Sequence, residues 1–260
     1  MASDVDSLQI DKHKIQENLY SFPYHHIPHF DNEGVGVRFR LLDWGFEYLC
    51  YTRHVRELVE SLSPSSVLDV GCGDGGIVGT LGPAIGRRVG VDISEQAIRF
   101  ARAFHPDVDF SAIDVQQLEE TFDVVLAVAV LEHIPDDQVS TFLKALEQRA
   151  SKDGYVIILV PTTVFRVRKK HYRHYDLNLL KKQLEEADVQ LTITNVEYVY
   201  RQSRVVKHYC KLTHNHVCFM EPRTLNRLIW NHVWKRLRRT DEEHGKHLVV
   251  VLRKAAANAL

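Results

Sequence analysis

Residues 69–76 read DVGCGDGG, and this stretch fits two ligand-binding turns at once. Gly71, Gly73 and Gly76 satisfy G-x-G-x-x-G, with Asp92 about twenty residues on, where a dinucleotide-binding turn keeps its ribose acid. Asp69, Gly71, Gly73 and Gly75 equally satisfy D-x-G-x-G-x-G. In both readings the missing Cβ atoms let the turn tighten and a ligand approach the backbone. Charge separates them. A turn of bare amides opening onto a helix attracts a pyrophosphate, which Asp69 and Asp74 would repel. The same two carboxylates attract a cation, and S-adenosyl-L-methionine brings a sulfonium and an ammonium with no phosphate.

Further along the chain, Glu132-His133 and the segment HYRHYD (171–176) supply acids and imidazoles suited to moving a proton. FPYHHIPHF (22–30) gathers three histidines among aromatic residues and two prolines, in a pattern matching neither a helix face nor a clean strand. It contains no acid, which argues against a metal site of its own. Its aromatic and imidazole groups suit a lid that closes over a substrate.

These residues need a scaffold, and the hydrophobic pattern supplies one. From Ser66 onward, short apolar runs alternate with amphipathic stretches: VLDVG, RRVGVDI, VDFSAID, FDVVLAVAV and YVIILVP read as strands, SEQAIRFARAF and DLNLLKKQLEEA as helices. Ser94 is placed to cap the first of these helices. IVGTLGPAIG reads as a short helix, and Val55, Leu58, Val59 and Leu62 line a helix before the first strand. The unbroken apolar strands need cover on both faces, which predicts a doubly wound parallel α/β sheet.

With these blocks in order, the chain resembles the class I S-adenosylmethionine-dependent methyltransferases over roughly residues 55 to 200 plus the last strand. VLDVGCGDGG, VGVDIS, SAID, FDVVLAVAVLEHIPD, GYVIILVPT and HYRHYDLNLLKKQLEEAD carry the resemblance. It implies a Rossmann-like seven-stranded sheet of order 3-2-1-4-5-7-6 with the seventh strand antiparallel, and a ligand beyond the carboxyl ends of the strands. An N-terminal helical lid over residues 1–54 and a catalytic domain over 55–254 complete the expected layout. Implied cofactor contacts are Asp69, Gly71, Cys72, Gly73, Gly75, Asp92, Ile93, Asp114, Val115 and Ala129. Expected bases are His133, His171 and His174, and expected acceptor contacts are Tyr24, His25, His26, Arg173 and Tyr175. In the related small-RNA 3′-terminal 2′-O-methyltransferases, residues corresponding to Glu132, His133 and His171 or His174 hold a divalent metal. That pattern has a further glutamate where Ala129 stands here, so no metal is expected.

Composition bounds the remainder. With 260 residues, 45% hydrophobic and 26% charged, the chain is an ordinary globular protein. The four cysteines form no CxxC pair and read as reduced packing residues. No apolar run is long enough to span a bilayer and the start MASDVDSLQIDKHKIQ is polar, so a cytoplasmic location is expected. Residues 201–246, the expected insertion between strands 6 and 7, hold eleven Lys/Arg against four Asp/Glu. This points to an anionic acceptor such as a sugar or polysaccharide precursor, with RNA as the alternative. A noncatalytic partner subunit is the third reading. Trp230, Val233, Trp234 and Leu237 fall on one face of a helix within 222–239, either as a packed face with a basic outer edge or as an anchor at an anionic membrane.

Overall fold

The computed structural model describes residues 28–30, 36–38, 45–213, 215, 220 and 222–255, the first two segments by backbone alone. Those two form an antiparallel hairpin of β1 (Pro28–Phe30) and β2 (Gly36–Arg38). The end of FPYHHIPHF is therefore a strand, in a stretch whose pattern matched neither a helix face nor a clean strand, and the first helix among the described residues begins at Gly45. Tyr24, His25 and His26 lie outside the described residues.

Eight strands form the main sheet: β3 (Ser66–Val70), β4 (Arg87–Val91), β5 (Asp109–Ser111), β6 (Phe122–Val128), β7 (Ala150–Pro161), β8 (Leu191–Arg201), β9 (Arg239–Thr240) and β10 (Gly245–Lys254). Their spatial order is β5-β4-β3-β6-β7-β10-β8-β9. β3 to β7 pair in parallel, and β10 runs antiparallel to both β7 and β8. This is the expected seven-strand order with one addition. The two-residue strand β9 pairs with Tyr198 and Val199 of β8 and ties the end of the insertion to the sheet.

Successive side chains of a strand point to opposite faces, and the core divides accordingly. Ile157 and Leu159 of β7 join Val67, Val124, Leu126, Val249 and Val251 on one face. That face is covered by α1 (Gly45–Ser61), α2 (Glu95–Phe104), α5 (Arg204–Thr213) and α6 (Arg223–His232). Val156, Ile158 and Val160 face the other way with Leu68, Val125 and Ala127, under α3 (Val139–Arg149) and α4 (Leu177–Glu186). Burial on both faces is why these strands carry no polar alternation.

Helix starts follow local chemistry. The Ser94 hydroxyl accepts from the Ala97 N–H at 3.1 Å, and the Asp176 carboxylate accepts from Leu179 N–H at 2.7 Å. IVGTLGPAIG shortens to a 3-10 turn at Val78–Thr80, since glycine and proline interrupt it.

The insertion holds two helices where one was expected. α6 continues as a π-turn, Val233–Leu237, with Val233 and Leu237 buried. Trp230 and Trp234 stack at 5.6 Å, and the Arg53 and Arg238 guanidinium groups lie 4.2 and 4.1 Å from the Trp234 ring. The tryptophan face is therefore the packed one, fastened to α1. Each cation–π contact adds roughly 0.5–2 kcal/mol. Cys50, Cys72 and Cys210 are buried. Among the described residues no helix is long and apolar enough to cross a membrane.

Candidate active site

The glycine turn follows β3 at its carboxyl end. Gly71, Gly73 and Gly75 have φ of 71°, 57° and 81°, left-handed conformations that favour glycine. A Cβ at Gly71 would strike the Val130 side chain, and one at Gly76 the Tyr48 hydroxyl. The turn is thus closed in by the loop after β6 on one side and by α1 on the other.

Three acids surround it. Asp69 is 2% exposed, and burial pushes its carboxyl up to about 7, with Asp92 and Asp74 adding to the effect and the Val78 N–H opposing it. Asp92 accepts from Gly73 N–H at 3.0 Å and from Ser94 N–H at 2.9 Å, so the acid expected on the ribose side also fixes the turn. Next to it, Ile93 is 60% exposed at the carboxyl end of β4. A crowd of carboxylates about a glycine cradle fits a cation and opposes a pyrophosphate.

A second cluster lies beyond β6. Ala129 has φ 57°, an uncommon conformation for a residue with a side chain, and its N–H donates to Leu159 O at 2.8 Å. This bend leads the chain past Gly71 into a 3-10 turn, Leu131–His133. There Glu132, His133 and His171 bring a carboxylate oxygen and two ring nitrogens within 4.8 Å of one another. Glu132 is 2% exposed, and its Oε2 has no hydrogen-bond partner among the described residues. Burial raises its carboxyl to about 7 against the pull of Lys170, Arg168 and Arg173.

Hydrogen bonds assign the tautomers. A carbonyl only accepts, so His174 Nδ1–H donates to Phe165 O at 2.9 Å, leaving its Nε2 as acceptor. His171 Nδ1–H then donates to that Nε2 at 2.9 Å. His133 Nδ1–H donates to Lys170 O at 3.1 Å. His133 and His171 therefore both carry their acceptor lone pair on Nε2. Burial, with the charges of His133 and Lys170, holds His171 down to about 2. His171 is neutral at physiological pH but too weak a base to take a hydroxyl proton. It suits ligation or hydrogen-bond acceptance.

Residues 42–232 match the family model described as a methyltransferase domain. The chain belongs to the methyltransferase domain family. It is 26% identical to a ubiquinone biosynthesis O-methyltransferase of Hydrogenovibrio crunogenus over 64% of this chain and 61% of that protein. It is 32% identical to one of Bordetella bronchiseptica over 39% of this chain and 45% of that one. The chain thus spans less than two thirds of these curated relatives. Its fold resembles magnesium protoporphyrin IX methyltransferase from Synechocystis PCC 6803, with TM-score 0.59, 15% identity and coverage of 94% and 100% of the two chains. N-methyltransferase NodS from Bradyrhizobium japonicum gives TM-score 0.52 at 17% identity, over 78% and 86%. Magnesium protoporphyrin IX methyltransferase has been crystallised with bound SAM, a cationic methyl donor of the kind that the acidic glycine cradle here suits.

Within the methyltransferase, the structure gathers Asp69, Gly71, Cys72, Gly73, Gly75 and Asp92 at one turn. Asp114 is exposed, with one carboxylate oxygen accepting from Gln116 N–H at 2.8 Å as it caps a short turn. Val115 is buried, with its side chain packed in the core. Arg173, Tyr175 and His174 have tasks other than those expected. Arg173 donates to Leu131 O at 3.2 Å and Ile134 O at 2.7 Å, pairs with Asp136, and donates to the hydroxyl of fully buried Tyr175. These two clamp the loop that carries Glu132 and His133. His174 orients His171. Through these contacts all three help to position the loop and His171.

α1 contributes residues that the periodicity did not single out. Tyr48 lies against the glycine turn, and its ring meets Tyr51 edge-on at 5.4 Å. Tyr51 lies 4.7 Å from His247, and burial pushes its hydroxyl well above the usual tyrosine value, with Glu132 among the charges it feels. The Glu47 carboxylate accepts from Lys246 at 2.6 Å and His247 at 3.0 Å. These partners outweigh its burial and hold it near 2. The aromatic spacing in FEYLCY was the available signal: Tyr48 and Tyr51, three apart, share a helix face.

Proposed function

We propose that the methyltransferase methylates a hydroxyl oxygen of a small anionic acceptor, with sugar or polysaccharide-precursor hydroxyls as the leading class. The observation that carries this reading is the convergence of Glu132, His133 and His171 beside the glycine turn. The bound donor supplies a sulfonium-activated methyl carbon, to which the acceptor oxygen bonds as the carbon–sulfur bond breaks and its electron pair returns to sulfur. As the oxygen bonds, its hydroxyl proton must leave, and Glu132 and His133 are the acceptors within the cluster. His171, held neutral, accepts a hydrogen bond and fixes the approach. Arg173 and Tyr175 keep the loop in place, which matters because small misplacements of reacting groups are costly in rate. The curated relatives, named for O-methylation, support oxygen over nitrogen.

Cations frame the acceptor side. Arg166, Arg168 and Lys169 are exposed on the loop after β7, and the Arg168 charge acts on Glu132, Tyr51, His171 and His174. Arg168→Ala should raise KM for an anionic acceptor about tenfold with kcat unchanged. An unaltered KM would remove the anion from the proposal. The reading as a whole is tested by supplying labelled donor with pools of hydroxylated sugars, phenols and amines, then locating the label by mass. Label on nitrogen would overturn oxygen transfer, and label confined to phenols would replace the sugar class.

A second reading has its own support. Two imidazole acceptors and a carboxylate with an unsatisfied buried oxygen form a donor set that fits a divalent cation. Glu132, His133 and His171 would hold it, and it would polarise an oxygen there. Chelation separates the two readings. On the base reading, turnover survives chelation; loss of turnover, restored by Mg²⁺ or Mn²⁺, would establish the metal.

A further inference from the structure

β7 and β8 run the same way, so the loop after β7 and the insertion after β8 leave the sheet at one edge, the edge that holds the active site. Exposed apolar side chains concentrate on these two segments. Ten large hydrophobic residues are exposed among the described residues, and seven belong to these two segments: Val164, Val167, Val205, Leu212, Met220, Leu225 and Leu228. Leu212 is 70% exposed, Val205 60% and Leu228 59%. Val205 and Leu212 are seven apart on α5, and Leu225 and Leu228 three apart on α6, so each pair shares its helix's outer face.

Cations are interleaved with them. Arg204, Lys207 and Lys211 are exposed on α5, Arg223 and Arg227 on α6, and Arg166, Arg168 and Lys169 on the loop. From residue 202 to 239 the sequence carries nine Lys/Arg and a single acid, Glu221. The tryptophans face inward against Arg53 and Arg238, so they are not what this surface offers a partner.

From this we infer that the outer face of α5 and α6, with the 164–169 loop, docks the methyltransferase on an anionic lipid surface with its active-site edge toward the bilayer. Aliphatic side chains among cations suit the boundary between acyl chains and headgroups, where the first bury apolar area and the second meet lipid phosphates. A nucleic acid would use the cations but gain nothing from exposed Leu and Val, since base stacking calls for aromatic rings. The inference does not depend on which hydroxyl is methylated.

Sedimentation of the full chain with phosphatidylcholine vesicles, with and without phosphatidylglycerol, tests it. Binding is expected only with phosphatidylglycerol, at low salt, with release at high salt. The double variant Leu212→Glu and Leu228→Glu should weaken vesicle binding by about tenfold or more, while calorimetry finds donor affinity unchanged. No binding at low salt would overturn the proposal, as would full binding by the double variant. Binding to single-stranded RNA without binding to vesicles would overturn it in favour of a nucleic-acid surface. Vesicle binding that appears only after residues 1–27 are removed would instead make that segment the face's occupant.

Discussion

Replacing Glu132 with Gln should lower kcat by about 10²- to 10⁴-fold, the usual contribution of a positioned proton acceptor. Donor affinity, read by calorimetry, should stay within about twofold, because Glu132 lies outside the glycine turn. The amide keeps the shape of the side chain and places no charge in a buried position, so the melting temperature should not fall. Loss of turnover with intact donor binding and folding is therefore the expected pattern. Full turnover in this variant would remove the cluster from the chemistry and with it the proposed oxygen acceptor.

Asp69→Asn is expected to move stability and donor binding in opposite directions. The Asp69 carboxyl sits near 7 in the fold against an ordinary value of 3.8, so the folded state holds its proton more tightly than the unfolded chain. No penalty applies below about pH 4. It grows as pH rises and is complete above about pH 7. The roughly three-unit difference bounds the penalty at about 4 kcal/mol. Asn carries no such cost, so its stability gain over wild type should be absent near pH 4 and largest above pH 7, as read by denaturation at the two ends. The donor is cationic and favours the ionised carboxylate. Wild-type affinity should therefore climb as pH passes about 7, while the variant should bind about tenfold or more weakly with no such climb. A variant that binds the donor as well as wild type at alkaline pH would show that Asp69 serves only the turn.

Much of this architecture was legible in the sequence. Strands buried on both faces announce themselves as unbroken apolar runs, and the glycine turn is tied to its sequence because only glycine takes three left-handed conformations so closely spaced without strain. Ser94 and Asp176 mark their helices by a contact within one turn. Each of these signals is local. β9 carried no such signal: two residues, Arg239 and Thr240, pair with β8 across about forty positions, and nothing in their types requires it. α5 was equally hidden, since β-branched Val205 and Val206 lower its intrinsic helical preference and its packing partners lie elsewhere in the chain.

The site divides along the same line. Asp69 and Asp74 among the glycines already favour a cationic ligand, because charge and spacing within a short segment suffice for that choice. Arg173, Tyr175 and His174 look from their types like ligand contacts, yet backbone carbonyls of Leu131, Ile134 and Phe165 claim them. Glu132 acquires its raised carboxyl only from burial, and His171 its low basicity from burial beside His133 and Lys170. The sequence by itself determined the sheet and the charge of the ligand it binds, since both rest on patterns read within a few residues. Only the tertiary structure decided which imidazoles hold lone pairs and which cations clamp a loop, because desolvation and hydrogen-bond partners belong to groups that the chain brings together from far apart.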